Sequence, residues 1–143
     1  MRIGDPPSLQ PDDYSFTHQV RVRFSETDAM GIVHHSRYLP YLEETRVAYL
    51  RAIDHPYSET RDQGTDFAII EVWVGYMRPL RFDDVVDVHL RVIDITRATF
   101  QIHYVLTVSG EVRASAVTAH SAVNRDGRPV RLPAWMADLT TGR

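Results

Sequence analysis

The feature that most constrains this chain is a single switch of hydrophobic period. From His34 to about Ile53, the residues Tyr38, Leu42, Thr45, Ala48, Tyr49 and Ile53 recur at helical spacing. Beyond Asp66 the period becomes two. Phe67–Met77, Val85–Ile95, Ala98–Val108 and Glu111–Asn124 read as four long strands rich in Val, Ile, Thr and aromatic residues. Ser109-Gly110 forms a tight hairpin turn between two of them, and Thr96-Arg97 marks another. Ahead of the helix, Thr17–Phe24 alternates apolar residues at Val20, Val22 and Phe24 and supplies a fifth strand. One long helix beside about five mostly antiparallel strands is an α+β architecture. A helix of about 20 residues spans roughly 30 Å, the length of such a sheet. The segment 54–66 reads as a polar loop, and 132–139 as a short terminal helix.

The chemistry concentrates where the first strand meets the helix, in Val20–Arg51. Asp28 and Gly31 stand in a polar turn ahead of the helix, with Ala29-Met30-Gly31-Ile32-Val33 between the carboxylate and the helix start. Asp is common as a helix cap. Six or seven residues is too far for that role, and an apolar surround leaves a carboxylate weakly hydrated, which suits a base or nucleophile. The free N–H groups of a helix start can polarise a carbonyl oxygen while the carboxylate works on the carbonyl carbon or on water. This is the outline of an acyl-transfer or acyl-hydrolysis site. Gly31 serves the turn, and its missing side chain leaves the backbone open to substrate.

The run Glu26-Thr27-Asp28-Ala29-Met30-Gly31-Ile32-Val33-His34-His35, followed by Tyr38, Glu43 and Arg46, resembles the hotdog-fold acyl-CoA thioesterases of the YbgC and 4-hydroxybenzoyl-CoA type. The resemblance covers about Thr17 to Pro133. It implies a sheet wrapped around the helix, hydrolysis of an acyl-CoA thioester without metal or organic cofactor, and a homodimer or homotetramer with the active site at the subunit interface. It makes Asp28 the catalytic carboxylate and assigns the His35 backbone N–H to the thioester carbonyl. Tyr38, Phe67 and Tyr76 are apolar candidates for the acyl pocket, with core packing as the competing role for each. Related enzymes often carry Tyr where this chain has Phe24. A sister group uses a helix-borne glutamate, which brings in Glu43 and Glu44. Against that, Glu43 and Arg46 stand three apart and suit a pair on the helix surface or across a subunit contact.

Other chemistries fit less well. The chain has no Cys, which removes thiol nucleophiles and thiolate metal sites. His34 and His35 point about 100° apart on a helix and lack a carboxylate one turn on, so no metal site is expected. There is no G-x-S-x-G elbow and no phosphate-binding glycine loop. A hydratase would need D-x-N-P-x-H, whereas Asp28 and His34 are separated by A-M-G-I-V. A non-catalytic module binding acyl thioesters or acyl carrier protein is the alternative of a different class. A net charge of −3 argues against nucleic acid or acidic membranes as partners. All 16 basic residues are Arg, which suits phosphate contacts, but codon bias produces the same pattern and the usage decides nothing. No apolar run approaches the roughly 20 residues of a membrane span, and the first residues lack the apolar core of a signal peptide. The expectation is a cytoplasmic protein with a flexible or loosely docked lead-in over 1–16 and one domain over 17–139.

Overall fold

The computed structural model describes residues 3–139. Five strands form one antiparallel sheet in the order β1-β3-β4-β5-β2. They are β1 (Phe16–Arg21), β2 (Asp66–Tyr76), β3 (Val85–Ile93), β4 (Thr99–Val108) and β5 (Glu111–Val123). The long helix α1 (Tyr38–Ala52) lies on one face, entered through a 3-10 turn at His35–Arg37. This is the α+β architecture expected from the period switch, in the hotdog form that the family resemblance implies.

The packing follows from side-chain size. Tyr38, Tyr41, Leu42, Thr45 and Tyr49 form the buried stripe of α1. On the facing sheet surface, Tyr104 pairs with Ala116 and Leu106 with Ala114. Large residues on β4 are thus matched by alanines on β5, which lets the helix sit close. Val86, Val88 and Leu90 complete the wall and are fully buried. Pro40 occupies the first turn of α1, where a missing N–H breaks no helical bond, so the helix runs on unbroken.

The opposite sheet face is buried as well, although among the described residues no α-helix lies on it: Val105 and Val117 are wholly inaccessible. Residues 3–15 lie against this side. The Arg91 guanidinium donates to the Asp13 carbonyl and sits 5.2 Å from the Tyr14 ring centre, and the Ile3 amide donates to Glu71. Met1 and Arg2 of the expected lead-in fall outside the described residues.

Most strand ends fall within one or two residues of the sequence reading, and three elements depart from it further. The first strand ends at Arg21, not Phe24, because Phe24–Glu26 coils into a 3-10 turn that carries the Phe24 ring out of the sheet. That ring is 75% exposed and packs edge-on against Phe82. The polar segment 54–66 contains a short helix, α2 (Tyr57–Asp62), whose six residues are too few for a periodic signal. The terminal helix is a 3-10 helix at Ala134–Asp138.

Candidate active site

The turn that carries Asp28 is pinned from both sides. Thr27 bridges to Val33, Ile32 bridges to Arg81, and the Val33 amide donates to the Leu80 carbonyl. Within the turn the Gly31 amide donates to the Asp28 carbonyl and the Asp28 amide to the Ile32 carbonyl, both at 2.9 Å. Gly31 has φ +79°, in the left-handed region, and a Cβ there would meet nothing within 4 Å. The requirement for glycine is therefore conformational, and the space above it is open.

The Asp28 carboxylate is half-buried. One oxygen, Oδ1, accepts from the Met30 amide at 2.8 Å, an Asx-turn contact. Asp28 thus does shape its turn, and that bond fixes the carboxylate's direction while leaving Oδ2 with no protein hydrogen bond among the described residues.

Helix entry is organised by His34, whose Nδ1 accepts from the Ser36 amide and whose ring lies 4.1 Å from that of His35. His35 is exposed and opens the 3-10 turn. Among the described residues its amide meets no acceptor, the usual condition of a first-turn N–H. Its carbonyl accepts from the Tyr76 hydroxyl at 3.2 Å, which ties the end of β2 to the start of the helix. The Tyr76 ring meets Tyr38 edge-on, with centroids 4.8 Å apart.

The structure therefore groups His35, Tyr38 and Tyr76 at the α1 start, with the turn of Asp28 and Gly31 leading into it. Tyr38 is 3% exposed and belongs to the core. Phe67 stands apart from them. It begins β2, packs edge-on against Phe100, and lines a cavity of about 250 Å³ beside the second half of α1. Glu43 and Arg46 do not pair with each other. Glu43 is exposed, and Arg46 turns inward to donate to the Tyr104 hydroxyl at 3.2 Å.

One residue that organises this geometry stands in the motif run but was given no role by the sequence. Glu26 is 6% exposed. Its carboxylate accepts from the Tyr41 hydroxyl at 2.7 Å, the Arg23 amide at 2.8 Å and the Arg23 guanidinium at 3.1 Å, while its carbonyl accepts from the His34 amide. Burial alone would raise the carboxyl's pKa, but the Arg23 amide and the Tyr41 hydroxyl outweigh it and hold the group below its ordinary value. Glu26 thus fastens both ends of the Asp28 turn to the helix.

A second polar cluster lies deeper. The Tyr104 hydroxyl stands 2.7 Å from Thr118 Oγ1, which stands 2.8 Å from His120 Nε2. Burial, seconded by the Arg46 charge, lowers the pKa of His120 to about 3 and keeps its ring neutral. Among the described residues no group of three or more His, Asp or Glu side chains could hold a metal ion, and no helix is long and apolar enough to cross a membrane.

Known proteins share this fold. A crystal structure of an Aquifex aeolicus protein superposes with a TM-score of 0.83 at 38% identity, covering 87% of this chain and 98% of that one. A Thermus thermophilus thioesterase crystallised with coenzyme A and zinc gives a TM-score of 0.75 at 27% identity, covering 89% and 95%. By sequence, the 1,4-dihydroxy-2-naphthoyl-CoA hydrolase of Nostoc punctiforme is 30% identical over 118 residues, 80% of this chain and 78% of that protein. The thioesterase-like superfamily model matches residues 22–139, from the end of β1 through the carboxylate turn, helix and sheet to the last described residue. A chain matched over that span belongs to the thioesterase-like superfamily.

Proposed function

We propose that this chain hydrolyses an acyl-CoA thioester to a carboxylic acid and free CoA. The observation that carries the reading is the Asp28 carboxylate, held by the Met30 amide through one oxygen and unbonded at the other, on a turn pinned just ahead of a helix start with a free amide. The relatives named for CoA-thioester hydrolysis support the same chemistry.

In this mechanism Asp28 takes a proton from water as the water oxygen attacks the thioester carbon. Alternatively, Asp28 attacks directly to give a mixed anhydride that water then opens. Either way the C–S bond breaks and CoA leaves as thiolate, which takes up the proton. The His35 N–H meets the developing oxyanion, a contribution of a few kcal/mol in enzymes of known mechanism. Gly31 leaves the approach to the turn open, and Tyr38 and Tyr76 wall the helix start. CoA as the leaving group assigns the protein to the cytoplasm, where CoA thioesters are made.

The working unit in this reading is a homodimer or a homotetramer with the site at the subunit interface. Strand β2 is a sheet edge, and Ile69, Ile70, Val72, Trp73, Tyr76 and Met77 along it are 40–52% exposed. An apolar edge of that length calls for a covering partner, and a second copy supplies one.

The test is free-thiol release from a panel of short, medium, long-chain and aromatic acyl-CoA thioesters. Turnover of at least one, abolished in Asp28→Asn, supports the proposal. Binding without turnover across the panel would instead identify a non-catalytic acyl-thioester module.

A further inference from the structure

The peptide that carries the His35 N–H is oriented through its own carbonyl. That carbonyl, of His34, accepts from the Arg37 amide at 2.9 Å. In a trans peptide the N–H lies opposite the C=O, so the His35 N–H points out of the helix start. Direction alone does not place the donor. His35–Arg37 is a 3-10 turn, whose hydrogen bonds are poorer than those of an α-helix, so where it sits depends on bonds from outside. Two such bonds flank the peptide. On one side the His34 amide donates to the Glu26 carbonyl at 2.9 Å. On the other the Tyr76 hydroxyl donates to the His35 carbonyl at 3.2 Å.

Tyr76 is itself held firmly. Its ring meets the buried Tyr38 ring at 89°, with centroids 4.8 Å apart. Its backbone closes the β2 ladder opposite Ala114. The next two amides, of Met77 and Arg78, both donate to the Arg113 carbonyl, at 2.9 and 3.0 Å. Burial raises the pKa of the hydroxyl above its ordinary 10, so it stays protonated and able to donate through the neutral range. The side chain is 52% exposed, and water could serve that hydroxyl just as well. A phenylalanine would make the same wall beside Tyr38. What the hydroxyl adds is the bond to the His35 carbonyl, which fixes the turn against the sheet.

We infer that Tyr76 is a positioning residue, whose hydroxyl holds the His35 N–H at the substrate carbonyl from the β2 side. This rests on the thioesterase reading for its reaction but not for its geometry. Tyr76→Phe removes the hydroxyl and keeps the ring, and at a half-exposed position it should keep the fold, as circular dichroism would check. On the best thioester of the acyl-CoA panel, kcat should fall about tenfold while KM changes less than about twofold. A donor displaced from the developing oxyanion costs rate and leaves ground-state binding alone. An unchanged kcat, or a loss confined to KM, would overturn the inference, the latter by making Tyr76 a substrate contact. A change of oligomer mass in Tyr76→Phe would overturn it too, by assigning the hydroxyl to a subunit contact.

A second readout needs no turnover. Acetonyl-CoA and phenacyl-CoA carry a ketone one methylene from the sulfur and cannot be hydrolysed. At saturation at least one of them should move the His35 amide resonance of the wild-type protein in proton–nitrogen correlation spectra, and Tyr76→Phe should at least halve that movement. No movement in the wild type, or the same movement in the variant, would overturn the inference even if thioesters are hydrolysed. The expected pair of spectra alongside no hydrolysis of any thioester would sink the enzymatic reading alone.

Discussion

The Tyr41 hydroxyl stands 2.7 Å from Oε1 of Glu26, and through this bond the second turn of α1 grips the loop that precedes the Asp28 turn. Removing the hydroxyl leaves a buried carboxylate one donor short. Tyr41→Phe should therefore lower stability by about 1–3 kcal/mol, measured by urea unfolding at neutral pH. The sign with pH also follows. The Glu26 carboxyl is held below its unfolded value near 4.5, so its contribution is present above that pH and is lost as pH falls through the lower folded value. The stability gap between wild type and Glu26→Gln should be constant from pH 6 to 8 and close below about pH 4.

His120 titrates in the same direction over a different window. Its folded pKa of about 3 lies below the ordinary 6.5, so the unfolded chain binds the extra proton between those values. Wild-type stability should rise with pH from 3 to 6.5, and His120→Leu should flatten that slope. Unfolding midpoints taken at half-unit pH intervals would check it. A slope unchanged in the variant would assign the effect to other groups.

Asp28→Asn keeps the turn's Oδ1 acceptor and removes the base, so thioester turnover should fall by at least about a hundredfold. Glu43→Gln, on the exposed side of α1, should fall less than tenfold. The reverse ranking, with both variants folded by circular dichroism, would move the chemistry onto the helix.

Light scattering at micromolar concentration should give a mass of at least twice the 16.4 kDa chain. Ile70 sits where the β2 register shifts, at the sheet edge and exposed. Ile70→Lys should shift the mass toward the monomer. A wild-type protein at one chain mass would remove the interfacial site.

Much of the fold was legible because it rests on period alone. Alternation marked all five strands, and the 3.6-residue stripe marked α1. Glu26 was not legible as a structural hub, because its partners Arg23 and Tyr41 are assembled by a 3-10 turn that no repeat announces. Phe24 misled for the same reason: it continues an alternating pattern after the backbone has left the sheet. The site divides likewise. Asp28 and Gly31 stand together in one short segment, and His35 enters through the family resemblance, whereas the Arg46–Tyr104–Thr118–His120 cluster joins a helix to two strands across 74 positions of sequence. Neither spacing nor composition links those four.

Residues 3–15 occupy the sheet face that α1 leaves free. In assembly terms, that face is already covered, so a second copy in the proposed dimer or tetramer would attach at the strand edges or on the helix side. Trimming the chain to Phe16 would uncover a surface around Val105 and Val117. A shortened form made for crystallisation would be expected to gain a sticky face and an assembly state foreign to the full chain.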